Sequence, residues 1–167
     1  MKRIILSLMV LLPLGMVAQE IKIAIVNTSE VISVMPEVTA MENELMALHQ
    51  KYQAELQSLE NEYNRKNSDF VAQQDSLNEN IQKLRIQEIQ DIQTRLENLY
   101  QMAQQDIEKK RTDLSAPIQE KVMKAISEVG DENGYTCVFD PHPQIVLYTG
   151  KSVINATDKV KAKLGLK

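Results

Sequence analysis

From Glu37 to Ala116 the sequence contains neither proline nor glycine, a gap of 80 residues in a chain of 167. Those two residues are the strongest punctuators of local structure, so the gap rules out a loop-rich segment there. Tryptophan is absent, and phenylalanine and tyrosine together number seven (2 Phe, 5 Tyr), too few to build a large conventional core. A single cysteine, Cys137, excludes an intrachain disulfide. Its place in the apolar run Tyr135–Phe139 predicts a buried thiol acting as a small hydrophobe. The two histidines, His49 and His142, have no metal-like spacing with each other or with Cys137, so no zinc site is expected. There is no glycine-rich phosphate loop, no nucleophile elbow and no Ser–His–Asp order. No enzyme activity, cofactor or metal follows from these residues.

The chain opens with a basic triplet, Met1-Lys2-Arg3, and an almost wholly apolar run from Ile4 to Val17. Ala18 supplies a small residue for cleavage. This pattern predicts a secretory signal peptide over residues 1–18, too short for a spanning helix, and an exported protein cleaved near Ala18. Without Lys2 and Arg3, 17 basic residues face 23 acidic ones, a net charge of −6. That excludes a nucleic-acid partner, which demands a dense basic face.

The gap itself is filled with good helix formers. Apolar residues recur at Met41, Leu45, Leu48, Tyr52, Leu56, Leu59, Tyr63 and Phe70, and again at Leu77, Ile81, Leu84, Ile89, Ile92, Leu96, Leu99, Ala103 and Ile107. Steps of three and four describe two narrow seams, as in a coiled coil. Each seam needs a partner, and the other half of the same chain is the nearest. A turn at about residues 67–76 is expected, where Asn67-Ser68-Asp69 are poor interior helix residues and Ser76-Leu77-Asn78-Glu79 reads as a capping box. One continuous helix is the alternative. Pro36 suits the first position of the arm, after a short helix capped by Thr28 or Ser29. Pro117 is expected to kink the second limb.

Strands are expected at Ile21–Asn27, Tyr135–Asp140 and Ile145–Tyr148. Gly130 and Gly134 bracket a helix stop, and a final helix carries Val153, Ile154, Val160 and Leu164 on its apolar side. About seventy residues outside the arm would be marginal as an isolated domain, so assembly into more than one copy is expected.

The opening Ile21-Lys22-Ile23-Ala24-Ile25-Val26-Asn27, the closing Gly134-Tyr-Thr-Cys-Val-Phe-Asp140 and Asp158-Lys159-Val160 on the last helix together resemble the Skp family of periplasmic chaperones, also called the outer-membrane-protein-H family. The resemblance implies an α+β fold: a small β-barrel-like trimerisation body with a long antiparallel α-helical coiled-coil hairpin. Residues 19–35 and 118–167 would form the body, with Ile21, Ile23, Ile25, Cys137, Phe139, Ile145 and Leu147 in its oligomerisation strands. Residues 36–117 would form the arm. It further implies a homotrimer that holds unfolded outer-membrane β-barrel proteins between its arms without ATP. Off-seam apolar residues Met46, Val71, Ile86 and Met102 are the candidate client contacts.

Familiar members of that family are strongly basic, whereas residues 37–116 here carry 15 acidic and 9 basic side chains. Only the expected tip stays basic, with Arg65, Lys66, Lys83 and Arg85. This cluster is a candidate for weak contact with an anionic membrane surface or a client, against the plainer reading of a solvated, paired face. A rival function is the helical hairpin of an envelope export adaptor. The 17 residues from Gln19 to Met35 are too few for the β-rich half-domain that such adaptors carry before the hairpin.

Overall fold

The computed structural model describes residues 21–142 and 146–166. The expected signal peptide and Ile145 lie outside them. The elements, in order, are β1 (Ile23–Ile25), α1 (Thr28–Ser33), α2 (Pro36–Gln73), a 3-10 turn (Gln74–Ser76), α3 (Glu79–Asn133), β2 (Cys137–Phe139), β3 (Ile154–Asn155) and α4 (Thr157–Lys163).

The chain enters α1 through Asn27, whose side chain accepts a hydrogen bond from the Glu30 amide at 3.0 Å. Asn27, rather than Thr28 or Ser29, is therefore the cap. Pro36 begins α2, where its missing N–H has no helical partner to lose. The 38 residues of α2 span roughly 57 Å, and α3 with 55 residues is longer still. Asn67-Ser68-Asp69 remain inside α2, and the reversal falls at residues 74–78. Asn78 caps α3 by accepting from the Ile81 amide at 3.1 Å, while Ser76 donates its hydroxyl to the Gln73 carbonyl at 2.7 Å. The expected capping box does not form: the cap moves two residues on to Asn78, whose third position is the apolar Ile81, so it is a simple one-way cap.

Cross-helix pairs establish that α2 and α3 are antiparallel: as partner numbers rise on one helix they fall on the other. Lys121 pairs with Glu37, Lys110 with Glu44 at 2.8 Å, Arg95 with Glu62 at 3.9 Å and Lys66 with Glu88 at 2.7 Å. Pro117 lies inside α3 without ending it. The helix runs past Gly130 to Asn133 and stops at Gly134, whose φ of 65° places it in the left-handed region that glycine adopts freely.

The barrel-like body expected for this chain is not what forms. The three strands make one open sheet, ordered β2-β1-β3, in which both pairings are parallel. Strands of three, three and two residues cannot curl into a closed wall, which needs more and longer strands with a consistent stagger. The third strand is also elsewhere. Leu147 and Tyr148 are 89% and 85% exposed and belong to no strand. β3 uses Ile154 and Asn155 instead, so the final helix starts only at Thr157.

One face of the sheet covers the core. Ala24, Val26, Val31 and Met35 meet Ile118, Val122, Ala125 and Val129 of α3, with Ala156 and Val160 closing the far side. The two ends of the described chain are stitched by backbone bonds: the Thr136 amide to the Lys22 carbonyl and the Ala156 amide to the Ile25 carbonyl, both at 2.8 Å. The Asn27 amide donates to the hydroxyl of buried Thr157 at 3.1 Å.

Candidate functional site

Two surfaces stand out: the sides of the helix pair and the uncovered face of the sheet. On the pair, seam residues such as Met41, Leu45, Leu56, Leu59, Leu96 and Leu99 are half-buried, and Tyr52, Ile92 and Ala103 are buried. Tyr52 fixes the two limbs together by donating its hydroxyl to the Asp106 carboxylate. That bond to an anion holds the phenol above its usual pKa, with burial adding to the shift, so it remains a neutral donor. Gln93 reaches across in the same way to the Tyr63 hydroxyl at 3.1 Å.

With the seam occupied, the remaining apolar residues are left to solvent. Met46, Val71, Ile86 and Met102 are 59%, 58%, 42% and 53% exposed. They do not share one face. A groove of about 620 Å³ runs along one side of the pair, between His49, Gln53, Leu56, Gln57 and Glu60 of α2 and Tyr100, Gln104, Ile107 and Glu108 of α3. A second groove, of about 470 Å³, is walled by Glu55, Leu59 and Glu62 against Arg95, Leu99 and Met102. Met46 stands one heptad before Gln53, Ile86 two heptads before Tyr100, and Val71 two heptads after Gln57. These three fall on the side of the first groove, and Met102 lines the second.

Tyr100, 56% exposed in the first groove, was missed by the sequence reading. The signal was available, because it stands one heptad before Ile107 and beside the seam residue Leu99. Leu84 and Met123, 54% and 62% exposed, were missed as well. The spacing places Leu84 on the seam, yet near the reversal both it and Ile81 are left exposed.

At the tip, Arg65, Lys66 and Arg85 line one cavity of about 320 Å³ with Asp69, Phe70, Gln73 and Leu77. Lys83 does not join them and pairs along its own helix with Glu79 at 2.6 Å. Lys66 and Arg85 converge on Glu88, at 2.7 and 3.0 Å. Lys66 first, then Arg85, hold that carboxyl below its ordinary pKa. Two of the four cations are thus spent on one anion, which weakens the case for an anionic surface here.

On the body, the register pairs Ile23 with Cys137 and Ile25 with Phe139, on the side opposite Ala24 and Val138, which pack into the core. Cys137 is exposed rather than buried, because the strand's alternation turns Val138 inward and its neighbours outward. Phe139 is 50% exposed and Ile21 is 72% exposed. Parallel sheets are ordinarily covered on both faces, and among the described residues no helix covers this one, which leaves Ile23 and Ile25 half-buried and Cys137 and Phe139 exposed.

Among the described residues no cluster of His, Cys, Asp and Glu could hold a metal ion, and no helix is long and apolar enough to cross a membrane. Across residues 22–164 the sequence matches a family model described as outer membrane protein (OmpH-like). No curated protein matches it significantly. Among solved structures, one from Caulobacter crescentus CB15, described as an OmpH-like outer membrane chaperone, aligns with a TM-score of 0.74 at 14% identity. The alignment covers 86% of this chain and 83% of that one. At that identity the likeness speaks for the fold.

Proposed function

The chain belongs to the outer membrane protein (OmpH-like) family, and from that premise we propose that it is a holdase that keeps unfolded outer-membrane proteins soluble between its helical arms, without ATP. The family is one of non-catalytic periplasmic chaperones. The observation that carries the mechanism is the set of exposed apolar residues left over once the seam of α2 and α3 is filled. An arm roughly 57 Å long presents Met46, Val71, Ile86, Tyr100 and Met102 to solvent while most of its seam is packed between the two limbs.

A client destined for a membrane exposes apolar strands that pair edge to edge and aggregate. Enclosure between arms blocks that encounter through many weak contacts, and methionine adapts to varied partners. Enclosure needs several arms. In this proposal copies assemble through the sheet face that carries Ile21, Ile23, Ile25, Cys137 and Phe139, three of them as the family resemblance implies. Leu147 stands apart from that sheet and has no assigned contact in this scheme.

The test is suppression of light scattering when a denatured outer-membrane β-barrel protein is diluted into buffer containing the mature protein. Wild type is expected to suppress it at stoichiometric concentration. The variant with Met46, Val71, Ile86 and Met102 all changed to Ser should lose most of that suppression while keeping its helical circular dichroism. Undiminished suppression by this variant would remove these residues from the client surface.

A further inference from the structure

The larger groove differs chemically from the rest of the arm. Its walls carry two carboxylates, Glu60 and Glu108, two tyrosines, Tyr52 and Tyr100, and no lysine or arginine. Neither Glu60 nor Glu108 joins an ion pair among the described residues, whereas most arm cations are already committed. Lys109, the neighbour of Glu108, pairs with Asp113 at 2.7 Å, and Lys51 turns toward Glu55 at 3.9 Å. Tyrosine faces in this chain do accept cations: the Lys51 ammonium lies 5.9 Å from the ring centroid of Tyr52, and that of Lys159 lies 5.6 Å from Tyr135. The groove floor, formed by Leu56, Ala103 and Ile107, is apolar.

We propose that this groove binds an extended, apolar polypeptide segment through a basic side chain, an arginine above all. The inference deepens the holdase reading and rests on it, because it names the chemistry of the client segment that the arm selects. The planar guanidinium can stack on the exposed ring of Tyr100 while its fork of donors reaches the carboxylate of Glu60, and Glu108, about 12 Å further along α3, adds to the negative field of the groove. The flanking apolar side chains of the same segment lie over Leu56 and Ile107. Charge complementarity decides the occupant: a net of six negative charges on residues 37–116 repels acidic segments, and two carboxylates without an ion pair among the described residues, Glu60 and Glu108, line a groove whose walls hold no lysine or arginine. The cavity of about 620 Å³ has room for one side chain and adjoining backbone rather than for a folded partner.

The experiment uses the mature protein and fluorescent apolar peptides that differ at one central residue, which is arginine, its neutral isostere citrulline, or glutamate. Fluorescence anisotropy should show the arginine peptide binding about fivefold to tenfold more tightly than the citrulline one, with the glutamate peptide weakest. The double variant Glu60→Gln, Glu108→Gln should reduce the arginine preference to within about twofold while leaving the citrulline affinity in place. Tyr100→Leu should reduce it partway. Glu62→Gln, in the opposite groove, should leave the preference intact. Equal binding of the arginine and citrulline peptides, a preference that survives the double glutamine variant, or no binding of any peptide would each overturn the inference. So would a change in sedimenting mass caused by the glutamine pair, since that would make the occupant a neighbouring copy of this chain. Light scattering by a denatured client, run beside the peptides, separates the two levels. Intact capture without arginine preference defeats this inference alone, and absence of capture by wild type defeats the holdase reading with it.

Discussion

Replacing Phe139 with Asp is expected to yield a folded chain that sediments as a single copy. Phe139 lies at the end of β2, paired in register with Ile25, and half of its surface is exposed within the chain. Its ring points away from the core that Ala24 and Val138 enter, so a carboxylate there disturbs little inside the chain. In an assembly built on that face the same carboxylate would be forced out of water beside Ile23 and Ile25. Burying an unpaired charge costs several kcal/mol, enough to dissolve a modest interface. Analytical ultracentrifugation should show wild type at a multiple of the chain mass and the variant at the chain mass, with helical circular dichroism retained. Suppression of client aggregation should fall with it, since separate arms enclose nothing. A variant that still assembles would place the interface elsewhere.

Met35→Ala is expected to be the most damaging single truncation in the body. Met35 is 1% exposed and joins α1 to the start of α2, where it is packed among Val26, Val31, Ile118 and Val122. Removing a buried side chain of this size costs about 2–5 kcal/mol, the spread depending on how far the cavity collapses. Small domains have about 5–15 kcal/mol in total. The core cluster has only ten buried members, so few neighbours are available to fill the gap. Urea unfolding should show a midpoint lowered by a third or more. The arm has its own seam, so its helical signal should outlast the loss of the body in the variant. A single, unshifted transition would contradict both the placement of Met35 and the independence of the two cores.

The arm was readable because its pattern is local. Spacings of three and four, recurring from Met41 to Ile107 with a heptad-breaking step of five between Leu84 and Ile89, need only helical geometry to become a seam, and the absence of Gly and Pro leaves no other place for a turn than the polar stretch near Asp75. The turn's details were less readable. Ser76 and Asn78 are both competent caps, and the choice depended on where α2 released its last carbonyl at Gln73. The body was misread where pairing rather than propensity decides. Val146-Leu147-Tyr148 has strand-forming residues, yet the Val146 amide donates to the His142 carbonyl at 3.0 Å in a local turn, and among the described residues no strand pairs with the segment. Ile154-Asn155 has weak strand character yet is held beside Ala24 and Ile25, with the Ala156 amide anchored on the Ile25 carbonyl. A closed barrel was expected from the resemblance, but two-residue and three-residue parallel strands leave an open sheet. Cys137 was misplaced for a related reason: an apolar run of five residues in a strand must send alternate members outward.

The groove was hidden in the sequence because it draws on two segments fifty residues apart. Glu60 and Glu108 look like solubilising charge on either helix alone. Only the antiparallel register set by Tyr52 with Asp106 and Lys110 with Glu44 brings them to one side of the pair, with Tyr100 between them along the groove.

The most direct test of the central claim is sedimentation of the mature protein mixed with a denatured, labelled outer-membrane β-barrel protein after dilution from denaturant, with no nucleotide present. A chaperone that encloses its client should carry the label in one discrete, soluble species of fixed composition, holding one client per assembly. Label that pellets, or that sediments apart from the chaperone at its own rate, would contradict capture between the arms.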